Sequence, residues 1–303
     1  MTSEGPVLAI LGPTASGKSA LALDVVAARR AWGAATEIVA VDAFTVYRGM
    51  DVGTAKPDAA TREAVAHHLV DVLDPSEELT VVRFRDLARQ AIADVHARGA
   101  VPLLVGGSGL YRRSVVDDLS FPPTDPDVRR RIEERFAGDA PAAHTALAQR
   151  DPVAAEHIGE RNLRRLVRAL EVIELTDRRF SDWDDAWRRY DSVYPELDVV
   201  LLDPPTERLR AAIDVRAAAM VDAGLVDEVA RLRGTPRSRT AQAAIGYAEA
   251  EAVLDGRAPL ADLPRAVADR TWRYARRQRS WFRADPRCMV RDREEVLSRW
   301  GAA

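Results

Sequence analysis

The chain has 303 residues, enough for one large core or for a core with a smaller module beside it. Its 47% hydrophobic and 30% charged residues describe an ordinary globular protein, and no apolar run nears the roughly 20 residues needed to cross a bilayer. The single cysteine, Cys288, excludes an internal disulfide and a cysteine-rich zinc site, the N-terminus does not read as a signal peptide, and a net charge of −3 argues against a uniformly basic surface. A cytoplasmic protein is the expectation.

The first element is an apolar strand, Val7 to Leu11, followed by Gly12-Pro13-Thr14-Ala15-Ser16-Gly17-Lys18-Ser19 and then a helical pattern to about Ala31. Strand, glycine-bounded loop and helix in that order are the context of a phosphate-binding P-loop. Gly12 and Gly17 lack a Cβ, so backbone N–H groups can close on a phosphate, and the helix adds the positive end of its dipole. Lys18 supplies an ammonium, and the Ser19 hydroxyl suits a Mg²⁺ ion bridging phosphates. Lys18 and Lys56 are the only lysines among 44 basic residues. A lysine kept where arginine is otherwise used marks a site needing a compact point charge.

A second strand, Glu37 to Val41, ends at Asp42. In an open parallel sheet that end faces the ligand crevice, so Asp42 is a candidate general base or Mg²⁺ ligand, with helix capping or a salt bridge as its structural alternative. His67-His68 lacks a further histidine at ligand spacing and reads as structural. Helical periodicity runs from Val82 to Arg98, stopped by Gly99. Val101 to Val105 is a buried strand leading into a second glycine-rich turn, Gly106 to Tyr111, where Ser108 offers a hydroxyl.

Prolines and aspartates at Phe121 to Pro126 mark a boundary. The stretch that follows is helical and arginine-rich, with Leu163, Leu166, Leu170 and Ile173 on one stripe and Arg161, Arg164, Arg165 and Arg168 mostly off it. Residues 121–194 therefore read as an inserted helical module within a P-loop α/β core formed by residues 1–120 and 195–303. Asp198 to Leu202 returns to strand, and a long helix from Glu207 to Leu232, interrupted near Gly224, carries Arg216. Between Arg265 and Arg283 arginines dominate a last helix, compatible with a local polyanion footprint.

Taken together these pieces resemble the bacterial tRNA dimethylallyltransferase family. Those that carry the likeness are Gly12 to Ser19, Asp42, Val46 to Pro57, His68 to Asp71, Gly106 to Tyr111, Asp125 to Arg129, Arg165 to Val172, Ile245-Gly246-Tyr247 and Tyr274 to Phe282. The resemblance spans nearly the whole chain. It implies a parallel P-loop-type sheet flanked by helices. It also implies transfer of a dimethylallyl group from dimethylallyl diphosphate to the exocyclic amine of the adenine 3′ of the anticodon. The tRNAs would be those reading codons that begin with U, and diphosphate would be released.

Under that resemblance Gly12, Pro13, Thr14, Ala15, Ser16, Gly17, Lys18, Ser19 and Arg216 would bind the diphosphate, with Mg²⁺ on Ser19. Asp42 would take the amine proton, and Ser108, where threonine is usual, would contact substrate beside it. The anticodon stem-loop would meet Asp42, Ala43, Phe44, Thr45, Arg129, Arg164, Arg165, Val167, Arg168, Gln242, Gly246 and Tyr247. A monomer is implied. Two departures stand out: Asp42-Ala43-Phe44-Thr45 replaces Asp-Ser-Met-Gln, and Ala248 replaces a lysine after Ile-Gly-Tyr. The P-loop alone also suits a small-molecule kinase, and the basic stretches alone a catalytically silent RNA-binding protein.

Overall fold

The computed structural model describes residues 5–183 and 185–301. Two compact units are present, one reaching to Asp117 and resuming at Ser192, the other Asp118–Asp191.

The first unit is built on six parallel strands: β1 (Val7–Leu11), β2 (Thr36–Val41), β3 (His67–His68), β4 (Val101–Gly106), β5 (Leu197–Leu201) and β6 (Met289–Val290). Their order across the sheet is β3-β2-β4-β1-β5-β6. Every residue of β1 is buried, as expected of a parallel strand covered on both faces. The period of two divides it cleanly. Val7, Ala9 and Leu11 enter one apolar cluster, and Leu8 and Ile10 enter another on the opposite face.

The helices of this unit are α1 (Lys18–Ala31), α2 (Ala59–Ala64), α3 (Val81–Ala97) and α4 (Gly109–Val116), whereas α5 (Pro126–Phe136), α6 (Ala140–Arg150), α7 (Pro152–Ile158), α8 (Leu163–Thr176) and α9 (Asp185–Arg188) belong to the second. The chain returns to the first unit with α10 (Thr206–Asp222), α11 (Leu225–Leu232), α12 (Arg239–Gln242), α13 (Tyr247–Leu254), α14 (Leu263–Ala284) and α15 (Arg293–Gly301). Leu21, Val25 and Val26 of α1 are buried with Val296 and Trp300 of α15 against one sheet face. Each such side chain is worth about 1.5–3 kcal/mol of burial. The opposite face is covered by α3, α10 and α14. The interruption expected near Gly224 in the helical stretch from Glu207 to Leu232 separates α10 from α11, with Gly224 at φ 93°. β6 and α15 follow the last motif and carry no strong sequence signal.

An irregular segment runs from Asp42 to Pro57 and is pinned twice. The Lys56 ammonium, 1% exposed, donates to the Tyr47 carbonyl at 2.7 Å, Asp51 at 2.5 Å and Asp71 at 2.6 Å. Glu228, buried on α11, accepts the backbone N–H groups of Asp51, Val52 and Gly53 at 2.8, 2.7 and 3.1 Å, and the Tyr247 hydroxyl at 2.6 Å. A Cβ on Gly53 would lie 2.5 Å from the Tyr247 ring, which is why the chain needs glycine there.

The second unit has its own core of Ile132, Phe136, Leu147, Leu166, Val167 and Leu170. Its polar centre is the fully buried Glu171, which accepts from Thr124 and Asp125 of the entry loop and from Arg129 and Arg168. Burial opposes ionisation of this carboxyl, yet the hydrogen bonds from Arg168, Thr124 and Arg129 hold it below its usual range.

Candidate active site

Strand pairing sets the site. Leu11 lies opposite Gly106 on one side and Leu201 on the other, so the P-loop and the second glycine turn leave the sheet side by side at its carboxyl edge. A Cβ on Gly12 would sit 2.5 Å from Ser16 Oγ and 2.7 Å from the Leu202 carbonyl oxygen. The loop then turns through Ala15 at φ 64° and Gly17 at φ 90° into α1. A left-handed alanine costs roughly 1–2 kcal/mol, strain of the kind that collects at ligand-binding turns. Ser16 Oγ is buried and has no hydrogen-bond partner, as a hydroxyl waiting for an oxyanion would be.

Three charged groups converge on this loop. Lys18 reaches only the Pro13 carbonyl, at 3.4 Å. Burial, reinforced by the positive charge of Arg216 and opposed by Asp42, lowers its pKa to about 8. Arg216 donates from Nη2 to Thr14 Oγ1, and burial depresses its pKa too, with Asp42 again opposing. Asp42 is half-buried and accepts the Phe44 N–H at 2.8 Å in a local turn. Two cations thus face one carboxylate in a partly desolvated cradle, leaving a positive surplus that an anion would neutralise. Burial and Asp42 also push the Tyr274 phenol upward, so it stays protonated beside that carboxylate.

Ser108 caps α4 by accepting the Tyr111 N–H at 3.5 Å, which leaves its own proton free to donate. Ser19 is exposed in the first turn of α1. Among the described residues no cluster of three or more His, Cys, Asp or Glu could hold a metal alone. The exposed Ser19 hydroxyl is a hard oxygen donor that would suit a Mg²⁺ ion as one of its ligands.

Several residues expected on tRNA have other surroundings. Val167 is in the core of the second unit at 1% exposure, and Ala43 is packed in the main core. Tyr247 is buried with its hydroxyl on Glu228, and Gly246 is a buried turn residue at φ 100° that starts α13. Arg129 and Arg168 are held by Glu171, and Arg168 also donates to the Pro122 and Pro123 carbonyls. Val167, Ala43, Tyr247 and Gly246 are buried and shape the protein, whereas Arg129 and Arg168 are paired with Glu171 yet keep side chains 31% and 25% exposed. Arg161, Arg164 and Arg165 are exposed in the second unit, as is Gln242 in the first, where it donates to the Arg237 carbonyl at 2.6 Å. Phe44 is half-buried, and Thr45 is buried with an unpartnered hydroxyl. The arginines of α14 divide likewise: Arg279 is buried on Asp203 and Thr206, Arg270 is bound to Glu249, and Arg273, Arg276 and Arg277 are exposed.

Comparison with known proteins accounts for this arrangement. Residues 45–285 match the family described as IPP transferase. The tRNA dimethylallyltransferase of Bifidobacterium animalis subsp. lactis is 48% identical over 282 residues, covering 93% of this chain and 80% of that protein. Its counterpart from Mycobacterium tuberculosis is 48% identical over 291 residues, covering 92% and 90%. The crystal structure of the tRNA isopentenylpyrophosphate transferase from Bacillus halodurans superposes with a TM-score of 0.68 at 35% identity, covering 97% of this chain and 94% of that one. A parallel sheet with a P-loop on its first strand, matched along most of its length by such relatives, makes this chain a member of the IPP transferase family.

Proposed function

We propose that the protein transfers a dimethylallyl group from dimethylallyl diphosphate to the exocyclic amine of the adenine 3′ of the anticodon in tRNAs reading codons that begin with U. The observation that carries this reading is the convergence of Lys18, Arg216 and Asp42 on one glycine-bounded loop. Lys18, Arg216, the orphaned Ser16 hydroxyl and the backbone of the loop bind the diphosphate. As the bond from the allylic carbon to the diphosphate oxygen breaks, negative charge grows on the leaving group. The two cations stabilise it more than they stabilise the bound substrate. Mg²⁺, held through Ser19, would neutralise diphosphate charge when bound. The new carbon–nitrogen bond forms as the amine attacks, and its proton passes to Asp42. The target adenine must leave its stack to reach the site. The Ser108 hydroxyl, with its proton free, contacts substrate near the amine.

The exposed Arg161, Arg164, Arg165, Arg273, Arg276 and Arg277 supply phosphate contacts for the anticodon stem-loop. On this reading the protein meets its tRNA in the cytoplasm; no helix among the described residues is long and apolar enough to cross a membrane. The test is product identity. With unmodified tRNA and dimethylallyl diphosphate, mass analysis of the nucleosides should show a dimethylallyl adduct of adenosine. Release of ADP from ATP with no modified nucleoside would replace this reading with a P-loop kinase.

A further inference from the structure

Gln278 lies on α14, 3% exposed, 264 residues along the chain from the loop it touches. Its Oε1 accepts the Thr14 backbone N–H at 2.8 Å. Its Nε2 fills the space beside the second glycine turn, where a Cβ on Gly107 would come within 2.2 Å of it and 3.0 Å of the Gly12 carbonyl oxygen. One turn earlier, Tyr274 lies beside the same amide and feels the charge of Asp42. The next residue, Arg279, fixes the helix to Asp203 at 2.6 Å and Thr206 at 2.9 Å. Thr14 is therefore held at both ends, its backbone by Gln278 and its hydroxyl by Arg216.

We infer that Gln278 is a positioning residue for the diphosphate site. It ties the P-loop to the basic helix α14 by wedging one amide between the two glycine turns. The inference rests on the diphosphate reading above and deepens it. It explains why Gly107 has no side chain although its φ does not require glycine: the space is taken by the amide. It also gives α14 two duties on two faces. The exposed Arg273, Arg276 and Arg277 point to solvent and are available to RNA. Gln278, on the buried face, sets the loop that grips the leaving group. An unmade bond here leaves the Thr14 N–H buried and unpaired, which destabilises the bound-loop geometry rather than the sheet.

The experiment uses the full chain and inorganic pyrophosphate with Mg²⁺ as the probe. Gln278→Met keeps the side-chain length and removes both polar atoms. It should weaken pyrophosphate binding about tenfold and raise the KM for dimethylallyl diphosphate by a like factor. Its affinity for tRNA at fixed salt should stay within twofold. Gly107→Ala, which displaces the amide, should give the same pattern, and its effect should shrink when built on Gln278→Ala, where the amide is gone and only the 3.0 Å approach to the Gly12 carbonyl oxygen remains. Pyrophosphate affinity within twofold of the parent in Gln278→Met would overturn the inference. So would equal losses of pyrophosphate and tRNA affinity, or strict additivity of Gly107→Ala with Gln278→Ala. A parent protein that neither binds pyrophosphate nor prenylates tRNA would remove the underlying reading, and this inference with it.

Discussion

Lys56 is enclosed by a carbonyl and two carboxylates, each within 2.7 Å of its ammonium. Lys18, the other lysine of the chain, reaches one carbonyl at 3.4 Å and has Arg216 for a neighbour. The same charge on the same stem is completed by the protein in one place and left incomplete in the other. Internal satisfaction marks architecture: Lys56 and the buried Glu228 together tie down the segment that begins at Asp42. Two desolvated cations sharing the single carboxylate of Asp42 are stabilised further by a ligand that supplies another anion. Under the proposed function the contrast separates a residue that shapes the site from one that acts in it, although both stand out equally in a chain otherwise rich in arginine.

The sharpest way to break the contrast is to remove the acting groups. Asp42→Asn should cut turnover by about 10²–10⁴ while tRNA affinity is nearly kept, because the amide cannot take a proton from the attacking amine. Single-turnover kinetics beside filter binding reads both, and parallel losses would make Asp42 structural. Lys18→Met should lower kcat/KM for dimethylallyl diphosphate by about 10² or more. Its thermal midpoint should not fall, since an uncompensated cation has been removed; a drop of several degrees would mean that Lys18 is satisfied within the fold. Lys56→Met should behave in the opposite way. Three acceptors lose a buried donor at once, although the Asp51 carboxylate is exposed and the Asp71 carboxylate only partly buried, so chemical denaturation should show about 1–3 kcal/mol of lost stability.

The pH dependence sharpens the same point. With its pKa lowered from the ordinary lysine value of 10.5 to about 8, Lys18 carries fewer protons in the folded than in the unfolded chain between those values. Its contribution to stability therefore rises with pH across that window, and below it the full penalty is present. Bound diphosphate favours the charged form. Pyrophosphate affinity should fall by up to about tenfold per pH unit above pH 8, with proton uptake on binding. Titration calorimetry in buffers of different ionisation heat measures that uptake. No uptake at pH 9 would exclude Lys18 as the group that answers the ligand.

The sheet and the P-loop were readable from sequence because their signals are local. Val7 to Leu11 is an unbroken apolar run, and the glycines, lysine and serine of the loop are consecutive. Asp42 was readable because it closes a strand whose end had to face the crevice. Other features depend on pairs far apart in the chain. Thr14 with Gln278, Glu228 with the Asp51–Gly53 backbone, and Arg216 with Thr14 leave no periodic trace at either end. The ion pairing of the arginines in the second unit was hidden for a related reason. Arg129 and Arg168 look like surface charge until Glu171 is seen buried between them, and the only hint was its place three residues after Arg168, beside the apolar stripe.

Those arginines supply the smallest predicted effect and a comparison of their own. Arg164 and Arg165 are exposed, while Arg129 and Arg168 are committed to Glu171. If the exposed pair touches phosphate, each alanine substitution should weaken tRNA binding a few-fold and flatten the slope of log K against log salt by about 0.7–1, with the fold unaffected. Arg129→Ala should leave that slope unchanged and lower stability, because a buried carboxylate loses two of its donors. The slope separates the two cases where affinity alone does not, since a loosened unit also binds less tightly. A slope that flattens for Arg129→Ala and not for Arg164→Ala would put the Glu171-bound pair on the RNA and take the exposed pair off it.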